Sequence, residues 1–185
     1  MVGFLRRLAL FAFAVIFCTI AASLYGIVHD MITARLSAEY FSFASPFMRI
    51  MGTSPTLRHL DGDVNLLALF WGVVASCWIG ALGGICTGVA ATIGRAPALG
   101  AMHYCNLVCK LFAMMACCAV IAGLIGFGLG RVGTPSLIDP DAIISPAKQA
   151  AFNAVDSSNK ASYVIGIVGI FVLSIKIWKM RCRSD

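Results

Sequence analysis

The chain has 185 residues, 60% of them hydrophobic and only 12% charged, with a mean hydropathy of +0.91. A soluble domain is about 45–50% apolar and about 25% charged, so composition argues against a water-soluble globule and against a disordered chain, and for an integral membrane protein with several spans. Net charge is +6, yet no basic run lies outside the chain ends and no basic patch is interleaved with aromatics, which speaks against nucleic acid as a partner.

A membrane-crossing helix needs about 20 predominantly apolar residues. Four stretches meet that need, at about 8–28, 66–93, 111–130 and 161–178. The second carries no Asp, Glu, Lys, Arg or His, and is longer than a ~30 Å hydrocarbon core requires. The fourth has a shorter apolar core, extended by Lys176 and Trp178. The predicted fold is all-α: a four-helix transmembrane bundle forming a single integral membrane domain. Two extracytoplasmic loops are expected, at about 30–63 and 131–160.

Lysine and arginine mark the cytoplasmic side of a membrane protein. With the N-terminus inside, that side holds Arg6, Arg7, Arg95, Lys110, Lys176, Lys179, Arg181 and Arg183 against Asp185 alone. The opposite side holds six bases against seven acids: Arg35, Arg49, Arg58, Arg131, Lys148 and Lys160 against Asp30, Glu39, Asp61, Asp63, Asp139, Asp141 and Asp156. The expected topology has both termini cytoplasmic. Arg6 and Arg7, the apolar run after them and Ala21-Ala22-Ser23 also fit a cleaved signal peptide. The run is long for one, however, and residues 24–27 continue it, so a retained span is expected. Bulky Phe17 before Cys18 speaks against a lipoprotein signal.

The first loop carries turn chemistry at Ser45-Pro46, Gly52, Pro55 and Asp61-Gly62-Asp63, and Asp63 suits the N-cap of the second span. In the second loop, Asp139-Pro140 and Ser145-Pro146 each read as an N-cap followed by proline at the first helical position. A short helix over 146–155 would set Ala147, Ala150, Ala151 and Ala154 on one face. In lipid, small residues that allow close approach carry helix association. Gly80, Gly84 and Gly88 form such a row on the second span, and Gly126 and Gly130 on the third; Gly166 and Gly169 mark the fourth. These rows predict packing seams, within the chain or between copies of it. Gly128-Leu129-Gly130-Arg131-Val132-Gly133 matches a dinucleotide fingerprint by letters only, since no strand or βαβ unit surrounds it.

None of the eight cysteines falls in an expected outer loop, so a disulfide scaffold is not expected. His103, Cys105 and Cys109 have plausible metal spacing but offer only three ligands, and ordinary packing is the simpler reading. No metal and no cofactor is expected. The four apolar cores contain no ionisable side chain, only hydroxyls such as Thr19, Ser23, Ser76, Thr87 and Ser174. This disfavours a proton relay or carboxylate ion site at midplane and leaves open a pore lined by hydroxyls.

The polar feature that stands out runs from Tyr25 to Phe41, at the end of the first span. If the helix continues, Tyr25, His29 and Thr33 share a face at i, i+4 and i+8, and Arg35 and Glu39 form an i, i+4 pair. His29, Asp30 and Glu39 are residue types that bind divalent metal or run acid–base chemistry, with His59, Asp61 and Asp63 able to converge from the far end of the loop. Alternatively the segment is structural: His29 and Asp30 end the span by meeting water with the rest a helix cap and interface anchor, or the polar residues form a buried hydrogen-bond cluster.

The run Tyr25-Gly26, His29-Asp30, Ile32-Thr33, Arg35, Ser37, Glu39-Tyr40-Phe41 resembles the YGIxHDQITxRxSxEYF motif of a family of small, uncharacterised bacterial multi-pass membrane proteins. It covers about a tenth of the chain, and Met31 stands where that motif has glutamine. The resemblance implies a bacterial inner-membrane setting and a retained first span; it implies no reaction. The leading expectation is a non-enzymatic structural or accessory membrane component in contact with the lipid bilayer, whose motif docks on its own second loop, a membrane partner or another copy. A small transport or channel component and a metal-binding or enzymatic site at the motif are the alternatives.

Overall fold

The computed structural model describes residues 2–43, 63–94, 96–134 and 144–183. Over these residues the fold is all-α. Helix α1 is Val2–Leu36, α2 Ala38–Phe43, α3 Val64–Thr92, α4 Ala101–Arg131 and α5 Pro146–Cys182. The four long helices are each long and apolar enough to cross a membrane. At 1.5 Å per residue they run about 43–55 Å, well past a ~30 Å hydrocarbon core.

Local chemistry fixes the ends. Ser37 separates α1 from α2, its amide bonded to Thr33 O. Asp63 caps α3 as the sequence implies, accepting from Asn65 N at 2.8 Å and Leu66 N at 3.3 Å. Ser145 stands at the N-cap of α5 with Pro146 at the first position, but its hydroxyl makes no cap bond.

Three spans differ from their expected bounds; the third begins at Ala101, ten residues before the expected 111. The short helix expected over 146–155 is the beginning of α5, which runs unbroken to Cys182. Much of the expected outer loop 131–160 is therefore part of the fourth long helix. Asp156 and Lys160 ended the apolar window in sequence, but here they pair at 2.8 Å, one helical turn apart, and together cost the helix less than either charge alone. Likewise α1 continues eight residues beyond position 28, into the stretch expected as the first loop. Its outward stripe of Ile16, Ile20, Leu24, Val28, Ile32 and Leu36 stays apolar at every fourth position and is exposed throughout.

The helices associate as two tight pairs, α1 with α3 and α4 with α5, and α3 against α5 is the most extensive contact between the pairs. Glycine sets the closeness of each pair. A Cβ on Gly80 would lie 2.6 Å from Cys18 O, and one on Gly84 2.6 Å from Val15 Cα. Gly88 faces Ala14 and Phe11, and Gly72 meets the Ile27 backbone. In the second pair, Gly126 faces Asn153 O and Ser157, while Gly130 lies against the Ala150 backbone, and Gly169 receives Leu111. The obstructing atoms are largely backbone, which cannot step aside.

One end of the bundle is closed by two arginines. Arg181, only 3% exposed, donates to Ala90 O, Ile93 O, Ala96 O and Pro97 O at 2.7–2.8 Å. Arg7 donates to Thr92 O, Gly94 O and Ala96 O. The C-terminal carbonyls of a helix lack intrahelical donors and carry the negative end of its dipole. Guanidinium supplies up to five donors in a rigid fork. Two residues counted in sequence as interfacial charge thus hold α1 and α5 to the end of α3.

Three outcomes test this packing. Gly84→Leu should destabilise the protein by about 3 kcal/mol through backbone overlap, read as a lower melting temperature in detergent. Gly128→Ala, where a Cβ meets nothing within 4 Å, should be neutral or stabilising by up to about 1 kcal/mol. Arg181→Lys should destabilise the protein by on the order of 2 kcal/mol, read as a lower melting temperature, because a single ammonium cannot reach all four carbonyls; an unchanged midpoint would show that the arginine does not clasp this end.

Candidate functional site

Between the two pairs lies a cavity of about 80 Å³. A single water needs roughly 10–15 Å³ measured this way, so there is room for several waters or one small solute. Its walls on α1 extend from Cys18 to Asp30, about 18 Å of helix. The middle is apolar, formed by Ile79, Leu111, Phe112, Met115 and Ile170. Both ends are polar.

At the arginine end, Tyr104 OH bonds Thr87 Oγ1 at 2.6 Å and Cys18 Sγ at 3.1 Å, while Thr87 Oγ1 donates to Gly83 O. These groups satisfy one another. At the other end stand Tyr25, His29, Asp30, Asn159, Ser162 and Tyr163. Tyr25 OH bonds Ser162 Oγ at 2.9 Å, and its ring stacks on His29 at 5.8 Å and tilts against Phe112 at 5.6 Å.

Two groups here are left over. Asp30 is 7% exposed, and among the described residues nothing donates a hydrogen bond to its carboxyl group. Tyr25, Tyr40 and Tyr163 lie within electrostatic range of it. The imidazole of His29 neighbours Asn159, but its Nε2 is buried with no hydrogen-bond partner. Val28 and Ile32 on either side of Asp30 face outward and are apolar. His29 and Asp30 therefore do not end the span by meeting water; they turn into the bundle while the outer face of the same turns stays compatible with lipid.

The rest of the motif does other work. Thr33 bonds back to His29 O at 3.0 Å. The i, i+4 pair expected between Arg35 and Glu39 does not form, because Ser37 breaks the helix between them. Arg35 instead donates to Met31 O and Asn65 Oδ1, and Glu39 pairs with Lys148 on α5. Tyr40 packs its ring against Phe41 and Phe152, and burial pushes its phenol pKa up. Glu39 is thus away from the cavity that His29 and Asp30 line, so the three do not form one site. His59 and Asp61 lie outside the described residues. Among the described residues, no three His, Cys, Asp or Glu side chains are grouped to hold a metal ion. Cys105 and Cys109 are neighbours on α4, with His103 exposed beside them.

Sequence reading passed over Asn159, Ser162 and Tyr163 because they fell within or beside an expected loop. A signal was present: Asn153, Asp156, Asn159 and Tyr163 recur at three- and four-residue intervals, one polar stripe of a helix.

A membrane bundle of four long apolar helices, enclosing a cavity with a buried carboxyl at one end, is the class of protein these features define. No protein-family model, no curated protein and no solved structure matches the chain.

Lys148 beside Glu39 holds its carboxyl below the usual carboxylate range, chiefly through their hydrogen bond. A depressed folded pKa contributes stability above the unfolded value, lost as pH falls through the folded one. The pair is substantially exposed at Lys148, so Glu39→Gln should cost at most about 1 kcal/mol at neutral pH. That difference should vanish in molar salt and in acid below the Glu39 range, as read from melting curves of both proteins.

Proposed function

We propose that this protein is a small transport component of the bacterial inner membrane, with the cavity between its helix pairs as the solute site. The single observation that carries the reading is Asp30: a buried carboxyl on a cavity wall, without a hydrogen-bond donor among the described residues. An isolated buried charge is costly, and ionisable residues kept inside membrane bundles mark ion and substrate paths. The uncharged cores disfavour a carboxylate ion site at midplane, but α1 extends past Asp30 as an apolar-faced helix and brings that carboxyl into the bundle. In the accessory reading the motif docks on the chain's own residues 131–160, where Glu39 pairs with Lys148 and Tyr40 packs on Phe152; it is the weaker reading because such docking gives no role to Asp30 on the cavity wall. The lysine and arginine bias supports both termini on the cytoplasmic side, with Asp30 near the outer boundary, and the motif resemblance supports the bacterial setting.

The test is reconstitution into liposomes with a trapped pH-sensitive dye. Under an imposed pH gradient and membrane potential, the wild-type protein should relax the gradient several-fold faster than Asp30→Asn. Dicyclohexylcarbodiimide, which attacks protonated carboxyls in apolar sites, should label Asp30 and abolish the flux. Equal rates for wild type, Asp30→Asn and empty liposomes would defeat the transport reading.

A further inference from the structure

Resting on the cavity as the solute site, we infer that it takes a monovalent alkali cation, sodium or potassium, held on the Asp30 carboxylate among oxygens from three helices. Size comes first. The cavity of about 80 Å³, at roughly 10–15 Å³ for each water, holds a small ion with a few waters and leaves no room for an organic solute of any length. Charge comes next. Asp30 is the single carboxyl on the described cavity wall, and no lysine or arginine lines it. Buried charges in native proteins are paired or coordinate a metal ion. Asp30 is buried, and among the described residues it has neither a hydrogen-bond donor nor an ion-pair partner.

Alkali ions exchange their hydration shell for oxygen ligands, and this end of the cavity supplies them. Tyr25 OH on α1 and Ser162 Oγ on α5 bond each other at 2.9 Å; one donates, and both keep lone pairs. Asn159 gives its amide nitrogen to Val155 O at 3.2 Å, which leaves its amide oxygen as an acceptor. On α3, Ser76 lines the same cavity, and its Oγ lies close against Gly26, one turn from Asp30 on the same face of α1. Retained water completes the shell. A divalent cation fits less well. One carboxylate leaves it a full uncompensated charge in a low-dielectric site, calcium takes about six to eight oxygens, and magnesium sheds its waters reluctantly. Transition metals want grouped nitrogen, sulfur or carboxylate ligands, and among the described residues no three His, Cys, Asp or Glu side chains are so grouped. An anion meets no lysine or arginine on these walls.

The experiment is thermal unfolding of the full-length protein in an uncharged detergent, in sodium, potassium or N-methylglucamine chloride at one ionic strength. N-methylglucamine matches the charge and is too large for the cavity. A ligand that binds only the folded state raises the midpoint, so sodium or potassium should raise it by about 3 °C or more over N-methylglucamine. Asp30→Asn should lose that difference, while Glu39→Gln, outside the cavity, should keep it. A second measurement uses the wild type alone, so it stands even where Asp30→Asn does not fold. The same alkali ion should slow labelling of Asp30 by dicyclohexylcarbodiimide, read by mass spectrometry, by about fivefold or more, and N-methylglucamine should not. Equal midpoints in the three salts, an equal gain in Asp30→Asn, or labelling of Asp30 that is absent or unaffected by either ion would each overturn the inference. Ion-dependent protection without flux in liposomes would retain the cation site and defeat transport; flux through Asp30 with no response to either ion would do the reverse.

Discussion

Backbone approaching backbone across glycine is the contact on which the rest of this structure depends. In lipid, apolar surface gains little by leaving its surroundings, so helices associate through close van der Waals packing. Gly72, Gly80 and Gly84 let α3 lie directly on α1, and Gly126 and Gly130 do the same between α4 and α5. Such contacts are tight because nothing intervenes, and they consume the small-residue faces of each helix. Between the pairs larger side chains meet, and packing there is less complete. The cavity is what two well-matched pairs leave between them.

The two ends of the bundle meet the same problem, unpaired polar groups in a low-dielectric setting, in opposite ways. At one end the orphan carbonyls of α3 are satisfied by Arg7 and Arg181, so the charges of those residues serve structure. At the other end Asp156 finds Lys160 and Glu39 finds Lys148, while among the described residues Asp30 has no such partner. That carboxyl is left on the cavity wall.

Four long helices, their apolar character, the Asp63 cap and the glycine rows were legible in the sequence, because each is a matter of local composition or of spacing along one helix. The position of the motif was legible too, but its partition was not. Sequence treats Tyr25 to Phe41 as one polar segment; the structure divides it between a cavity wall, a helix break at Ser37 and an ion pair to α5. The fourth span was read short because a hydropathy window counts Asp156 and Lys160 as two separate penalties, and pairing one turn apart changes that cost.

Composition and periodicity alone determined that this chain lives in lipid as an all-helical bundle, since burying or exposing an apolar helix is decided by its own surface. Only the tertiary structure decided which way Asp30 faces, which carbonyls Arg181 holds and that a cavity separates the two pairs. Those facts depend on residues 84 or more positions apart in the chain, Arg181 and Pro97, Tyr25 and Ser162 or Glu39 and Lys148, being brought to the same level by the register of antiparallel helices. Nothing in the local pattern of either helix sets that register; the fit of glycine against a neighbouring backbone does.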